Sequence, residues 1–233
     1  KMVNEIINKV SLDFIIHLAG YTNIDLAETN KQEAFRVNHI GTKNLAKIAK
    51  KLDVPILYVS TDNVFDGKKD SPYKTSDNVN PLNVYGLSKL KGEEEILKTC
   101  KKYYIIRTGW LYGKGSKNYV DTMLTFSMLR REISVVDDQI GCPTWTKDLC
   151  KEIINIMKEN KPYGTYHLCS SGQASWADFT KKIFEIKKRN VSVTAIDKSD
   201  FPRPAKRPHY CVLSNNNSMP NWEESLEKYL VGK

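Results

Sequence analysis

Short runs of consecutive apolar residues alternate along this chain with stretches whose apolar positions recur every three to four residues. FIIHLAG (14–20), PILYVST (55–61) and YYIIRTG (103–109) are apolar at nearly every position, the pattern of parallel strands buried on both faces. Residues 31–52 and 84–101 carry helical spacing between them, which predicts a β-α-β-α-β order and an α/β, doubly wound parallel sheet. Ligands gather at the carboxyl ends of such strands, and here those ends read AGYT, STDN and TGWLYG, rich in hydroxyls, glycine and aromatics.

Beyond residue 110 the rhythm continues but loosens. Residues 117–129 and 146–160 read as helices, 133–138 and 164–169 as strands, and 175–186 as a helix opened by a Ser N-cap with Asp three positions later. The run 191–196 reads as a strand, and the proline-rich basic segment 197–217 as a loop. No repeat or low-complexity linker separates two units, so a second domain would be interleaved with the first.

Composition narrows the class. Of 233 residues, 40% are hydrophobic, which fits a globular chain. No run approaches the length of a membrane span and the first residues lack a signal pattern, so a soluble, cytoplasmic protein is expected. The net charge of +9 is spread over helix faces, as in NLAKIAKKLD, without aromatic interleaving. That pattern predicts a solvated surface rather than nucleic-acid binding, and it is compatible with an anionic small molecule. The five cysteines form no C-x-x-C and read as reduced thiols; the four histidines show no metal-ligand spacing, so no zinc is expected and His17 reads as a satisfied core residue.

The segment NPLNVYGLSKLKGEEEIL (80–97) carries the candidate chemistry. Tyr85 and Lys89 stand four apart at a helix start and therefore share one face. A phenol with a pKa of about 10 is a poor acid or base at neutral pH. A fixed ammonium beside it favours the phenolate and lets the tyrosine exchange a proton with a carbonyl or hydroxyl. Y-x-x-x-K alone is common by chance; here it follows Thr61, a hydroxyl at a strand end, in a βαβ context.

The flanks make the pattern specific. AGYTNIDLAE, AFRVNHIGTKNLA, YVSTDNVFDG, PLNVYGLSKLKGE, IIRTGWLYG, KNYVDTM, VVDDQIGCPT, SWADF and FPRPAKRPHYCVLSN occur in the order found in the dTDP-4-dehydrorhamnose reductases, and the chain resembles that family from about residue 14 to 225. The family belongs to the extended short-chain dehydrogenases/reductases. The resemblance implies a Rossmann-like sheet with an interleaved, smaller α/β substrate domain. Residues 1–108 and 144–169 would form the cofactor domain, and 109–143 and 170–233 the substrate domain. It also implies reduction of a dTDP-sugar ketone with NADPH or NADH, for surface polysaccharide synthesis. A homodimer is among the assemblies it admits, and magnesium at the dimer interface is left undecided.

The same resemblance implies residue roles. Thr61, Tyr85 and Lys89 would be catalytic, with Ser60 a substitute for Thr61. Ala19, Gly20 and Tyr21 would lie along the cofactor with Tyr85 and Lys89, and Asn38 would either support the loops around it or be a buried structural residue. Asp62, Asn63 and Trp110 would stand near the sugar, with Trp110 alternatively plain core. Gln139, Gly141 and Pro143 match a segment near the nucleotide, and Arg203 and Arg207 would either meet the diphosphate or lie exposed.

Two departures qualify these expectations. No G-x-x-G-x-x-G phosphate loop occurs, and KMVNEIINKV (1–10) looks like the helix before the fourth strand of a Rossmann sheet, which suggests a fragment of a longer protein with weakened cofactor affinity. Asn63 stands where the family usually has Tyr. Two other classes stay open: a non-catalytic regulatory subunit resembling that of methionine adenosyltransferase, and a nucleotide-sugar epimerase or dehydratase.

Overall fold

The computed structural model describes residues 11–115, 117–215 and 218–231. The helix expected over residues 1–10 lies outside them. Four parallel strands form the central sheet: β1 (Ile15–His17), β2 (Ile56–Thr61), β3 (Tyr103–Thr108) and β5 (Gly164–His167), in the order β1-β2-β3-β5. Nearly every residue of β2 and β3 is buried, as apolar runs covered on both faces require. In the β2–β3 register Ser60 lies opposite Arg107 and Thr61 opposite Thr108, so two hydroxyls end adjacent strands.

The crossovers are helical. A short helix α1 (Ile24–Thr29), not anticipated from the sequence, precedes α2 (Lys31–Phe35), a π turn (Arg36–Gly41) and α3 (Thr42–Leu52). The expected helix 31–52 is thus interrupted at its centre. The interruption has a local cause: the Asn38 carbonyl accepts from Thr42 Oγ1 at 2.7 Å and from the Tyr58 hydroxyl at 3.4 Å, which draws it out of the regular ladder. His17 Nε2 meets the same Thr42 hydroxyl at 2.9 Å, and His17 is a satisfied core residue as read. The next crossover, α4 (Val84–Thr99), is capped by Asn83, whose Oδ1 accepts from Gly86 N at 2.8 Å.

The later elements build a second core. Helix α5 (Tyr119–Leu129) packs against α7 (Trp176–Ile186), and strand β4 (Glu132–Val136) pairs in parallel with β6 (Ser192–Ile196) away from the central sheet. Tyr112, Phe179, Trp222 and Tyr229 fill the space between them. Ser175 caps α7 with a capping box closed by Asp178, the N-terminus read from the sequence. Helix α6 (Thr146–Lys158) covers the central sheet through Leu149, Ile153 and Ile156. Two-residue strands at 111–112, 140–141, 144–145 and 174–175, together with helix α8 (Trp222–Val231), were not legible in the sequence. No helix among the described residues is long and apolar enough to cross a membrane.

Candidate active site

The carboxyl ends of β1, β2 and β3 open into one cleft of about 970 Å³, walled on its far side by the second core. Leu18, Gly20 and Thr22 line it at every second position of the chain leaving β1. Ala19 and Tyr21, expected along the cofactor, fall on the alternate positions and are not part of its wall. Asn38 is fully buried behind them. Its Oδ1 accepts from Tyr21 N at 2.7 Å, while its Nδ2 donates to Tyr21 O at 3.0 Å and to Ser88 Oγ at 2.9 Å. Asn38 therefore has no surface with which to touch a cofactor, and it ties the strand-end loop to the helix bearing Tyr85 and Lys89.

Thr61, Tyr85 and Lys89 meet at one end of the cleft. The Thr61 hydroxyl donates to Asp62 Oδ1 at 3.0 Å and accepts from Asn63 N at 3.1 Å, on the same wall of the cleft as the Tyr85 phenol. Burial pushes the Tyr85 phenol up to about 12; the Thr61 hydroxyl opposes that shift and the nearby Asp62 carboxylate adds to it. This differs from the expectation that Lys89 lowers the phenol. The reason is geometric: Lys89 Nζ turns inward to donate to Val59 O at 2.6 Å and lies 4.1 Å over the Tyr58 ring. Burial brings Lys89 itself down to about 7, with Glu93 pulling the other way.

Asp62 is buried beside this group. Burial raises its carboxyl to about 6, against hydrogen bonds from Asn63 Nδ2 at 2.9 Å and Thr61 Oγ1 at 3.0 Å. Its other oxygen lies so close to Gly109 that a side chain there would come within 2.1 Å of it, which explains a glycine after β3. Asn63, the departure noted above, accepts from the helix cap Asn83 at 3.0 Å and lines the cleft.

Trp110 forms the next stretch of wall. It holds a left-handed backbone with φ of 51°, unusual for a bulky residue, and its indole stacks on Trp176 at 3.6 Å with planes 4° apart. Gly141 lies directly beneath the indole, where a Cβ would approach within 2.5 Å. Gly141 and Pro143 are thus buried supports and not cleft residues, in contrast to Gln139, which lines the cleft. Trp176 was missed as a site residue, although it stands in the SWADF segment.

Basic residues ring the cleft unevenly. Arg207 lines it, but Asp25 of α1 holds its guanidinium through both carboxylate oxygens at 2.7 and 2.8 Å. Arg203 is half exposed, 3.8 Å from the same carboxylate and stacked on Phe201. Lys114 and Lys117 also line the cleft. Nothing in the sequence pointed to Asp25 as the partner of the arginines, because 182 positions separate it from Arg207.

A nicotinamide nucleotide fits this end of the cleft. A Cβ on Gly20 would stand 3.7 Å from Lys89 Nζ, so the glycine keeps the strand-end backbone open beside the ammonium. Thr108 Oγ1, buried at the end of β3 in the cleft wall, has no hydrogen-bond partner among the described residues. Lys89 would hold ribose hydroxyls. No group of three or more His, Cys, Asp or Glu side chains suited to a metal ion occurs among the described residues, and the five cysteines are free.

Comparison with known proteins agrees with the geometry. The family model described as RmlD substrate binding domain matches residues 1–231. A dTDP-4-dehydrorhamnose reductase of Sinorhizobium fredii is 39% identical over 233 residues, covering 93% of this chain and 79% of that protein. The spore coat polysaccharide biosynthesis protein SpsK of Bacillus subtilis is 36% identical, covering 94% and 78%. Among solved structures, the dTDP-4-dehydrorhamnose reductase of Bacillus anthracis in complex with NADP superposes with a TM-score of 0.95 at 38% identity, covering 99% of this chain and 84% of that one. A dTDP-glucose 4,6-dehydratase of Streptomyces venezuelae, at 16% identity and a TM-score of 0.79, shares the fold alone. By sequence and fold, the chain belongs to the dTDP-4-dehydrorhamnose reductase family.

Proposed function

We propose that this protein reduces the C4 ketone of dTDP-4-dehydro-L-rhamnose to dTDP-L-rhamnose with NADPH, in nucleotide-sugar synthesis for surface polysaccharide. The observation that carries this reading is the meeting of Thr61, Tyr85 and Lys89 at one end of a cleft whose other walls are Trp110, Trp176 and basic side chains. NADP in the Bacillus anthracis relative supports NADPH over NADH. Both reagents belong to the cytoplasm, where we place the reaction.

When bound, the reduced nicotinamide supplies the hydride. Tyr85 keeps its proton through neutral pH because burial pushes its phenol up to about 12, and it delivers that proton as the C4 oxygen becomes an alkoxide. Thr61 turns the hydroxyl hydrogen that it otherwise donates to Asp62 toward the same oxygen. Lys89 holds the cofactor ribose at the ends of β1 and β2. Residues 1–108 and 144–169 serve the cofactor, while 109–143 and 170–233 serve the sugar nucleotide. Within the second set Trp110 and Gln139 line the sugar's side of the cleft, and Lys114, Lys117 and Arg203 supply charge for the diphosphate.

Following the nicotinamide absorbance with dTDP-4-dehydro-L-rhamnose and with related nucleotide sugars tests this reading. Cofactor consumption with the 4-dehydro sugar is expected. A protein that binds the sugar nucleotide and never consumes NADPH would instead be a regulatory subunit.

A further inference from the structure

Glu93 is the least exposed carboxylate of α4, with 1% of its surface accessible, and no step above uses it. It lies one helical turn beyond Lys89 and joins two strands of the sheet. Arg107 of β3 donates to its Oε2 from Nη2 at 2.7 Å and to its Oε1 from Nε at 3.1 Å. Ser60 of β2, the neighbour of Thr61, donates to Oε1 at 2.5 Å. A buried carboxylate in this position fixes helix α4 against the strand end that carries Thr61, one helical turn from Lys89.

We infer that Glu93 is a positioning residue of the reduction: its carboxylate, held by Ser60 and Arg107, locks the Tyr85–Lys89 helix to the Thr61 strand and sets a negative charge one helical turn from Lys89. The inference rests on the reductase reading for its catalytic consequence, though the charge state of Lys89 is measurable without it. The other groups around Lys89 do not substitute for Glu93. His17 of β1 is held down to about 4 by burial and by Lys89 itself, so it is neutral in the working range. Tyr58 of β2 and Tyr85 of α4 are both raised phenols and stay protonated. On the π turn, Arg36 pairs with Glu33 and His39 with Glu95. Asp62 acts on Tyr85, and Arg107 is engaged by Glu93. Glu93 is the negative charge that opposes the desolvation of Lys89.

A positioning role through charge and a merely structural role predict opposite rankings of two variants. Glu93→Gln keeps the shape and removes the charge, whereas Glu93→Asp keeps the charge and disturbs the shape. The basic limb of the kcat/KM profile should move to lower pH in Glu93→Gln by about one unit, on the order of tenfold in rate above both limbs, and stay near its original place in Glu93→Asp. The Lys89 side chain, followed by NMR in protein labelled with ¹³C-lysine and assigned through Lys89→Met, should titrate at lower pH in Glu93→Gln without any substrate. If Glu93→Gln does not fold, Ser60→Ala unshields the same carboxylate and should move the Lys89 titration to higher pH. An unmoved Lys89 titration in folded Glu93→Gln, or in Ser60→Ala, overturns the inference. A Glu93→Asp profile displaced as far as that of Glu93→Gln overturns it as well. Wild-type protein that consumes no NADPH would defeat the reductase reading instead, and the NMR titration would still decide the role of Glu93.

Discussion

Asp25 grips Arg207 with both carboxylate oxygens, at 2.7 and 2.8 Å, and so fastens the proline-rich segment near the C-terminus to the helix that follows the first strand. The same carboxylate accepts from Ala205 N, while Asn83, the cap of α4, donates to Lys206 O at 2.9 Å. One loop at the rim of the cleft is thereby pinned both to α1 and to the helix start that carries Tyr85. The arrangement takes Arg207 out of the pool of free cations and leaves a carboxylate in the cleft wall.

Asp25→Asn should therefore tighten binding of dTDP severalfold and steepen its salt dependence, because a negative charge leaves the wall and Arg207 is released. Titration calorimetry at two ionic strengths measures both. The Arg207 guanidinium holds the Asp25 carboxyl below the ordinary carboxylate range. The latch thus stabilises the fold above that range and loses its contribution as pH falls through the lowered value. Thermal melts of Asp25→Asn should lack that acid-side step, and a melt profile identical to wild type would show that the latch does not hold the loop.

Tyr85→Phe removes one hydroxyl and should reduce turnover by roughly 10²- to 10⁴-fold, the scale of general acid catalysis, with little change in sugar-nucleotide affinity. Since the phenol is pushed up to about 12, its own ionisation should not shape the pH profile below pH 9. Near-normal turnover in Tyr85→Phe would assign the proton to Thr61 or to water.

Trp110→Ala removes the wall that stacks on Trp176, so it should weaken sugar-nucleotide binding while leaving the proton donor in place. The stacked indoles should also give an exciton feature in the circular dichroism that disappears in Trp110→Phe. Unchanged affinity in Trp110→Ala would make the tryptophan core packing alone.

Asp62 carries the opposite pH sign to Asp25. Burial raises its carboxyl from an ordinary 3.8 to about 6, so its protonated form favours the fold. That stability is fully present below the unfolded value and is lost as pH rises through the folded one, by up to about 3 kcal/mol. Asp62→Asn should accordingly gain stability over wild type at pH 8 and lose the advantage near pH 4. Denaturant unfolding at both pH values decides it; an equal difference at each would mean that the carboxyl is not perturbed.

The sequence by itself determined the central sheet, because β2 and β3 are buried on both faces and read as unbroken apolar runs, and it determined that Tyr85 and Lys89 share a helix, because their spacing is one helical turn. It also determined the start of α7, whose Ser175–Asp178 cap is a local pattern. Tertiary structure decided what spacing cannot encode. Strand alternation put Gly20 in the cleft and Ala19 and Tyr21 out of it, burial turned Asn38 and Gly141 into supports, and inward rotation aimed Lys89 at Val59 O and not at the phenol. The pairing of Asp25 with Arg207 and the stacking of Trp110 on Trp176 join residues far apart in the chain, and Glu93 reaches Ser60 and Arg107 across two strands. Such contacts arise only when the loops and helices close over the sheet, and burial then sets the protonation of Asp62, Tyr85 and Lys89 through desolvation that no local pattern records.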